Sequence, residues 1–151
     1  MQHPAYVEKQ WFKFLWIFMP LMTLFTLGSQ YLAGTPVASW MALSVPLVNV
    51  IVLVFLGSLT IQIDATHLQW RFGWLGWPCW KLALADIQSL EAVTTTFIDG
   101  WGIKKTRQGM LYNASGTQAI RLQLRNGKSL RLGTQDAQRL LSYISPRLNG
   151  R

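Results

Sequence analysis

The chain has 151 residues, 50% of them hydrophobic, with 14 Lys and Arg against 6 Asp and Glu for a net charge of +8. That length accommodates two membrane helices and one domain of roughly 90 residues, and excludes a second soluble domain. A single cysteine, Cys79, excludes an intrachain disulfide, so no oxidising compartment is implied.

Residues 1–13 form a short N-terminal segment with Glu8, Lys9 and Lys13, and from Phe14 to Ile63 the chain has no Asp, Glu, Lys or Arg at all. Two apolar runs fill this block, Leu15 to Leu32 and Val37 to Leu59, separated by Gly34-Thr35-Pro36. At 1.5 Å per helical residue the first run covers about 27 Å of a hydrocarbon core about 30 Å thick, and the second reaches across with some tilt. The pattern predicts a transmembrane hairpin, with helices over 14–33 and 37–59 and a turn at 34–36. A signal peptide fits poorly, because Glu8 spoils a basic n-region and a second apolar run takes the place of a polar mature chain.

Orientation follows from charge. The turn is uncharged, whereas Lys9 and Lys13 precede the first run and Arg71 and Lys81 follow the second. Lys and Arg stay on the cytoplasmic side, so both termini are expected there and the turn on the far side. Trp11 and Trp16 at one end and Tyr31 and Trp40 at the other match the aromatic belts of a bilayer. Pro20 and Pro46 are tolerable kinks; for Asn49, local packing is favoured over a hydrogen bond to the neighbouring helix or to a second copy of the chain. The absence of ionisable groups in the block argues against a transport path.

From Thr60 to Arg151 the chain is basic, with twelve Lys and Arg against five acids. Alternation predicts strands at 60–64 and 68–72 around the turn Asp64 to His67, at 79–84, 87–96 and 110–114, and on both sides of Asn126-Gly127, read as a type I′ turn. Gly133 closes the last strand. Thr134 is the expected N-cap of a helix whose apolar face carries Ala137, Leu140, Leu141, Ile144 and Leu148, ended or kinked at Pro146. The expectation is a mainly-β domain of about seven antiparallel strands over 60–151, capped by a C-terminal helix.

The stretch Gly100-Trp101-Gly102-Ile103, followed by the run from Ala119 through Asn126-Gly127 to Gly133-Thr134-Gln135-Asp136, resembles the tail of bacterial pleckstrin-homology-like (PH-like) domain proteins, many of which place that domain after a pair of membrane helices. The resemblance implies a PH-like barrel in a multi-pass protein of the bacterial inner membrane, with the turn at 34–36 periplasmic and an adaptor or accessory role. It does not carry phosphoinositide binding. The first hairpin loop reads Asp64-Ala65-Thr66-His67, where phosphoinositide-binding PH domains cluster Lys and Arg.

Two segments stand out as contact sites. In the loop Phe72 to Trp80, Trp74 and Trp77 are flanked by glycines and read equally as interfacial anchors or as rings that fill the barrel core or pack against the helix ends, whereas Trp70 and Trp80 occupy core strand positions. In Asp99 to Arg107, the apolar Trp101 and Ile103 accompany the cations Lys104, Lys105 and Arg107, a combination that suits anionic lipid or a partner protein. Arg121, Arg125, Lys128 and Arg131 read as an ordinary polar face. No helix-turn-helix, RNP-like pair or zinc spacing supports nucleic-acid binding.

No catalytic, cofactor or metal site is expected. His3 and His67 lie in no ligand or triad spacing, Cys79 reads as a buried small hydrophobe, and the glycines at 100 and 102 make no phosphate loop. The expected function is therefore non-enzymatic. A membrane-anchored adaptor would bind a membrane protein or another copy of itself, the alternative being a sensor of anionic lipid and, less favoured, a membrane enzyme.

Overall fold

The computed structural model describes residues 6–34, 39–95, 102–107, 109–114 and 116–149. It begins with a strand absent from the expectation, β1 (Tyr6–Trp11), followed by helices α1 (Lys13–Leu32) and α2 (Ser39–Leu56). Strands β2 (Ser58–Ile63), β3 (His67–Phe72) and β4 (Cys79–Ala83) lead through a 3-10 turn to β5 (Ile87–Thr94). Then come β6 (Gly102–Thr106), β7 (Gly109–Asn113), β8 (Gln118–Leu124), β9 (Ser129–Gly133) and helix α3 (Ala137–Asn149).

The strands make two open sheets, ordered β1-β2-β3-β4 and β5-β8-β9-β7-β6. The expected seven-stranded antiparallel barrel is thus corrected in three respects. The described residues hold nine strands, the sheets are not closed into one barrel, and β7 runs parallel to β9 through Met110, Leu111 and Tyr112. The two extra strands escaped the alternation rule for identifiable reasons. In β1 the inward positions are Tyr6, Glu8 and Gln10, two of them polar; in β6 the residues are Gly-Ile-Lys-Lys-Thr, with one large apolar side chain.

Both helices are apolar around their circumference, and no residue of α1 is buried. By length and composition α1 is able to cross a membrane, whereas the apolar stretch of the second helix, Ala42–Leu56, is shorter than a full span. The expected second span, 37–59, is therefore too long at its described end. The chain leaves the helix at Gly57, and Ser58 and Leu59 already belong to β2. The helices run side by side, joined by the Asn49 amide, which donates to the Met19 carbonyl at 3.0 Å and to the Thr23 hydroxyl.

One core lies between the sheets and α3, built from Leu59, Ile61 and Ile63 of β2, Leu68, Trp70 and Phe72 of β3, and Ile120, Leu122 and Leu132 of the second sheet. Trp70 and Trp80 are stacked at 6.3 Å and both meet the Tyr112 ring, at 5.2 and 4.7 Å, so aromatic contacts bridge the sheets. Helix α3 adds Ala137, Leu140 and Ile144 from its predicted face, and it continues through Pro146 to Asn149. Its N-cap is Asp136, whose Oδ1 accepts the Arg139 N–H at 2.9 Å; the expected cap, Thr134, instead accepts the Asp136 N–H and donates its hydroxyl proton elsewhere. The β8–β9 loop differs too. Leu124 N–H bonds to the Lys128 carbonyl and Gly127 alone has positive φ, so the connection is a three-residue loop, not type I′.

Thr134 donates to Glu8, and that carboxylate is the clasp of the fold. It accepts the Tyr6 hydroxyl at 2.6 Å, the Thr134 hydroxyl at 2.7 Å, the Gln135 N–H at 2.7 Å and the Gln10 amide at 2.9 Å. Gln10, fully buried, also donates to the Gly133 carbonyl at 2.8 Å. Burial, reinforced by the Glu8 carboxylate, holds the Tyr6 phenol far above its ordinary range, so it stays a donor wherever the protein is folded. The first strand is in this way tied to the segment that opens the last helix.

Two outcomes follow. Trp11 faces Ser58 across the β1–β2 pair, so a chain in which residues 12–57 are replaced by Asn-Gly should fold as a soluble domain with strand-rich circular dichroism, whereas residues 58–151 alone should not. Glu8→Gln presents an amide to hydroxyl and N–H donors and should cost about 1–3 kcal/mol, read as a lowered midpoint in thermal or denaturant unfolding.

Candidate functional site

The feature that brings most of the expected contact residues together is a collar where the helices join the sheets. Its basis is backbone hydrogen bonding. Phe12 N–H donates to the Gly57 carbonyl at 3.0 Å, which ties the start of α1 to the end of α2, and the Trp16 indole N–H donates to the same carbonyl at 2.9 Å. The last carbonyls of a helix lack partners within it. For α2 the β3–β4 loop supplies one: Trp74 N–H donates to the Val54 carbonyl at 2.8 Å, while Gly73 N–H donates to Ser58 at 2.8 Å.

This close approach requires glycine at position 73. Its φ is +68°, and a Cβ there would fall within contact distance of the Val54 and Phe55 carbonyl oxygens. The loop therefore docks on the helix end and carries its aromatic residues with it. Trp77 meets the Phe55 ring edge-on at 5.9 Å, yet Trp74, Leu75 and Trp77 remain 65%, 67% and 65% exposed. Of the readings left open by the sequence, filling of the core is excluded: these rings adjoin the end of α2 and keep most of their surface exposed. Trp70 is buried and Trp80 partly so, as core positions.

Elsewhere on the collar, β6 forms an edge of the five-stranded sheet. Ile103 joins Phe12, Phe14, Leu15 and Leu56 around a depression of about 400 Å³ at the base of the helices. Lys104 and Lys105 are exposed along the strand, and Arg107 is exposed in the turn that follows. Trp101 lies outside the described residues. The structure therefore brings Trp74 and Trp77 against the end of α2 and Ile103 beside the start of α1 and Leu56, with Lys104 and Lys105 along β6 and Arg107 in the turn after it.

Other side chains fall differently from expectation. Cys79 is exposed, not a buried hydrophobe, because it begins an edge strand and sits beside Arg71 on the outer face. Arg131, read as part of a polar face, is buried and donates to the Thr106 hydroxyl at 3.1 Å, while Arg121 pairs with Glu91 at 2.5 Å. The Asp64 turn, at the far end of β2, closes on itself. Burial works to raise that carboxyl, but the Thr66 and His67 N–H groups, the Thr66 hydroxyl and the His67 ring outweigh it and hold the carboxyl below its ordinary value. Among the described residues no three His, Cys, Asp or Glu side chains gather as metal ligands.

Sequence reasoning placed Trp11 in an aromatic belt and used Lys9 for orientation, but missed that both join the collar because β1 is a strand. Trp11 meets Trp16 edge-on at 5.6 Å, and the Lys9 ammonium lies 4.4 Å from the Trp11 ring centroid. Position immediately before the apolar block was the available signal. No protein-family model matches the chain, and no curated protein matches it either.

Gly73→Ala should undock the aromatic loop while leaving the sheets intact. The expected result is faster proteolytic cleavage between residues 73 and 78 and a red-shifted tryptophan emission, with a loss of stability of about 1–3 kcal/mol; unchanged cleavage would mean that the loop is not held by the helix end.

Proposed function

We propose that the protein is a membrane-anchored, non-enzymatic adaptor whose β-domain is held against the inner face of a bacterial inner membrane and binds a membrane protein, or a second copy of itself, through the collar. The observation that carries this reading is the Phe12 to Gly57 hydrogen bond beneath an apolar, unburied α1. A chain whose first helix crosses the bilayer and whose second returns to within one hydrogen bond of the starting point must cross twice. The whole of α2, 18 residues and about 27 Å, supports a second crossing if the bilayer thins slightly around it.

The positive charge on the β-domain supports the cytoplasmic side for both termini. An apolar surface as large as that of the two helices also needs cover, which lipid provides. A PH-like assignment draws support from the β2-β3-β4 meander and from the terminal helix packed on β5 and β8. The β7–β9 parallel pair and the strand before the helices are departures from a plain seven-stranded PH outline. The adaptor reading without catalysis rests on the small number of acids and histidines in the chain.

The lone cysteine offers a direct test of topology. Cys79 should be shielded from an impermeant maleimide in intact spheroplasts and labelled after lysis, while Ala33→Cys in a Cys79→Ser background should be labelled in intact spheroplasts. Labelling of Cys79 from outside would refute the orientation. Photocrosslinking in cells from position 74 or 103 should capture one discrete membrane protein or a dimer; capture of neither would refute the adaptor role.

A further inference from the structure

The outer face of the four-stranded sheet is basic, and its strand rows contain no carboxylate. Directly opposed residues project on the same side of a sheet. The register therefore sets Lys9, Thr60, Arg71 and Cys79 in one row, and Val7, Gln62, Gln69 and Lys81 in the next row away from the helices. The nearest acid, Asp64, sits in the far turn and accepts the Gln69 amide at 3.4 Å. Among the described residues neither Lys9 nor Arg71 forms an ion pair.

Both cations lean toward the helices. The Lys9 ammonium lies over the ring of Trp11, one row nearer to α1. The Arg71 side chain runs beside Gly76, in the loop docked on the end of α2, with its Cδ 3.1 Å from where a Cβ at position 76 would sit. Between them Thr60, Gln62 and Trp74 help to line a depression of about 550 Å³.

We propose that this depression binds the phosphate group of an anionic phospholipid, gripped by Lys9 and Arg71, with the Thr60 hydroxyl and Gln62 amide as further donors and Trp74 against the glycerol region. The proposal rests on the reading that the helices lie in the bilayer. Given that, the depth agrees. The Lys9–Arg71 row is two residues, about 6.6 Å, from the Trp11–Ser58 row at which the helices begin, and the polar layer of a leaflet is about 5–7 Å thick. The strands carrying the two cations are separated by one other, so their Cα atoms lie roughly 9–10 Å apart, a gap that two long side chains can close around one phosphate. A lipid phosphate is the favoured source because the depression opens where such groups are concentrated.

The test uses the full chain in nanodiscs of phosphatidylcholine mixed with phosphatidylglycerol, with retained lipid counted by native mass spectrometry. Each cation near an anionic surface contributes a factor of about five. Lys9→Gln or Arg71→Gln should lower the preference for phosphatidylglycerol about fivefold and the pair about twenty- to thirtyfold; Arg71→Lys should keep most of it, and Lys104→Gln/Lys105→Gln on β6 should leave it unchanged. A double variant that melts like the wild type and keeps the preference, or an equal loss in the β6 variant, overturns the site. So does binding of inorganic phosphate to the detergent-solubilised protein that depends on the same residues and is not competed by the lipid. Extraction of the wild-type chain from membranes by alkaline carbonate would instead remove the anchoring on which the proposal rests; a chain that stays in the bilayer without lipid preference loses the headgroup site alone.

Discussion

The pairing of β1 with β2 is the constraint on which the rest of the structure depends. Six residues before the helices and six after them form one antiparallel pair, from Tyr6 opposite Ile63 to Trp11 opposite Ser58. Two long apolar helices are thereby inserted at what would otherwise be a hairpin turn. Closing a loop of this length costs entropy that grows with the logarithm of its size. The helices reduce that cost, because side-by-side packing already returns the chain to its starting point. The Asn49 amide, bonded to Met19 and Thr23, favours that return at the level of single side chains.

The same pairing explains why the first strand carries buried polar side chains. An edge strand with Glu8 and Gln10 facing inward would be costly if those groups met only apolar neighbours. Here they face the segment between β9 and α3, whose hydroxyl, N–H and carbonyl groups need partners: Gly133 and Thr134 are buried and Gln135 leads into the helix. Each side supplies partners to the other, with the buried Gln10 Oε1 left over. The ends of the described chain are locked together near the core, the Tyr6 ring lying 5.0 Å from that of Tyr143 on α3. The domain is therefore continuous in space and discontinuous in sequence.

That discontinuity marks what was legible in the sequence. The hairpin β2–β3, the strands β8 and β9 and the apolar face of α3 follow periodicities that burial enforces, since Ile61, Ile63, Leu68, Ile120, Leu122, Leu132, Leu140 and Ile144 are fully enclosed, while the apolar block was legible from its uninterrupted lack of charge. The first strand did not, because alternation detects apolar burial and two of its inward positions are polar groups satisfied at a distance in sequence. Strand β6 was hidden by its place at a sheet edge, with two lysines exposed. The end of α2 was misjudged because Ser58 and Leu59 are as apolar in context as the helix before them, and only the hydrogen bonds of Gly57 and Gly73 show where the chain turns. Of the contact residues, Trp74 and Trp77 were legible from composition. Trp11 was legible as an interfacial ring, but its grouping with Lys9 and Arg71 was not, since their proximity depends on the register of strands interrupted by the helices.

The two sides of the collar differ physically, and this bears on which of them meets a protein. On the β6 side Lys104 and Lys105 line an exposed edge, and lysine on an edge strand discourages pairing with another chain. That accounts for these cations without a ligand. What remains there is an apolar contact, Ile103 with Phe12, Phe14 and Leu15, at the foot of the helices. The other side pairs cations that have no acid partner with indole rings that are two-thirds exposed, a composition suited to a charged and partly apolar medium such as the headgroup layer. If the proposed lipid site holds, the face of the four-stranded sheet is taken up by headgroups, and the side of β6 is left for the proposed protein partner. The rigid backbone bonds at Gly57 and Val54 would then fix the angle at which the domain presents that second side.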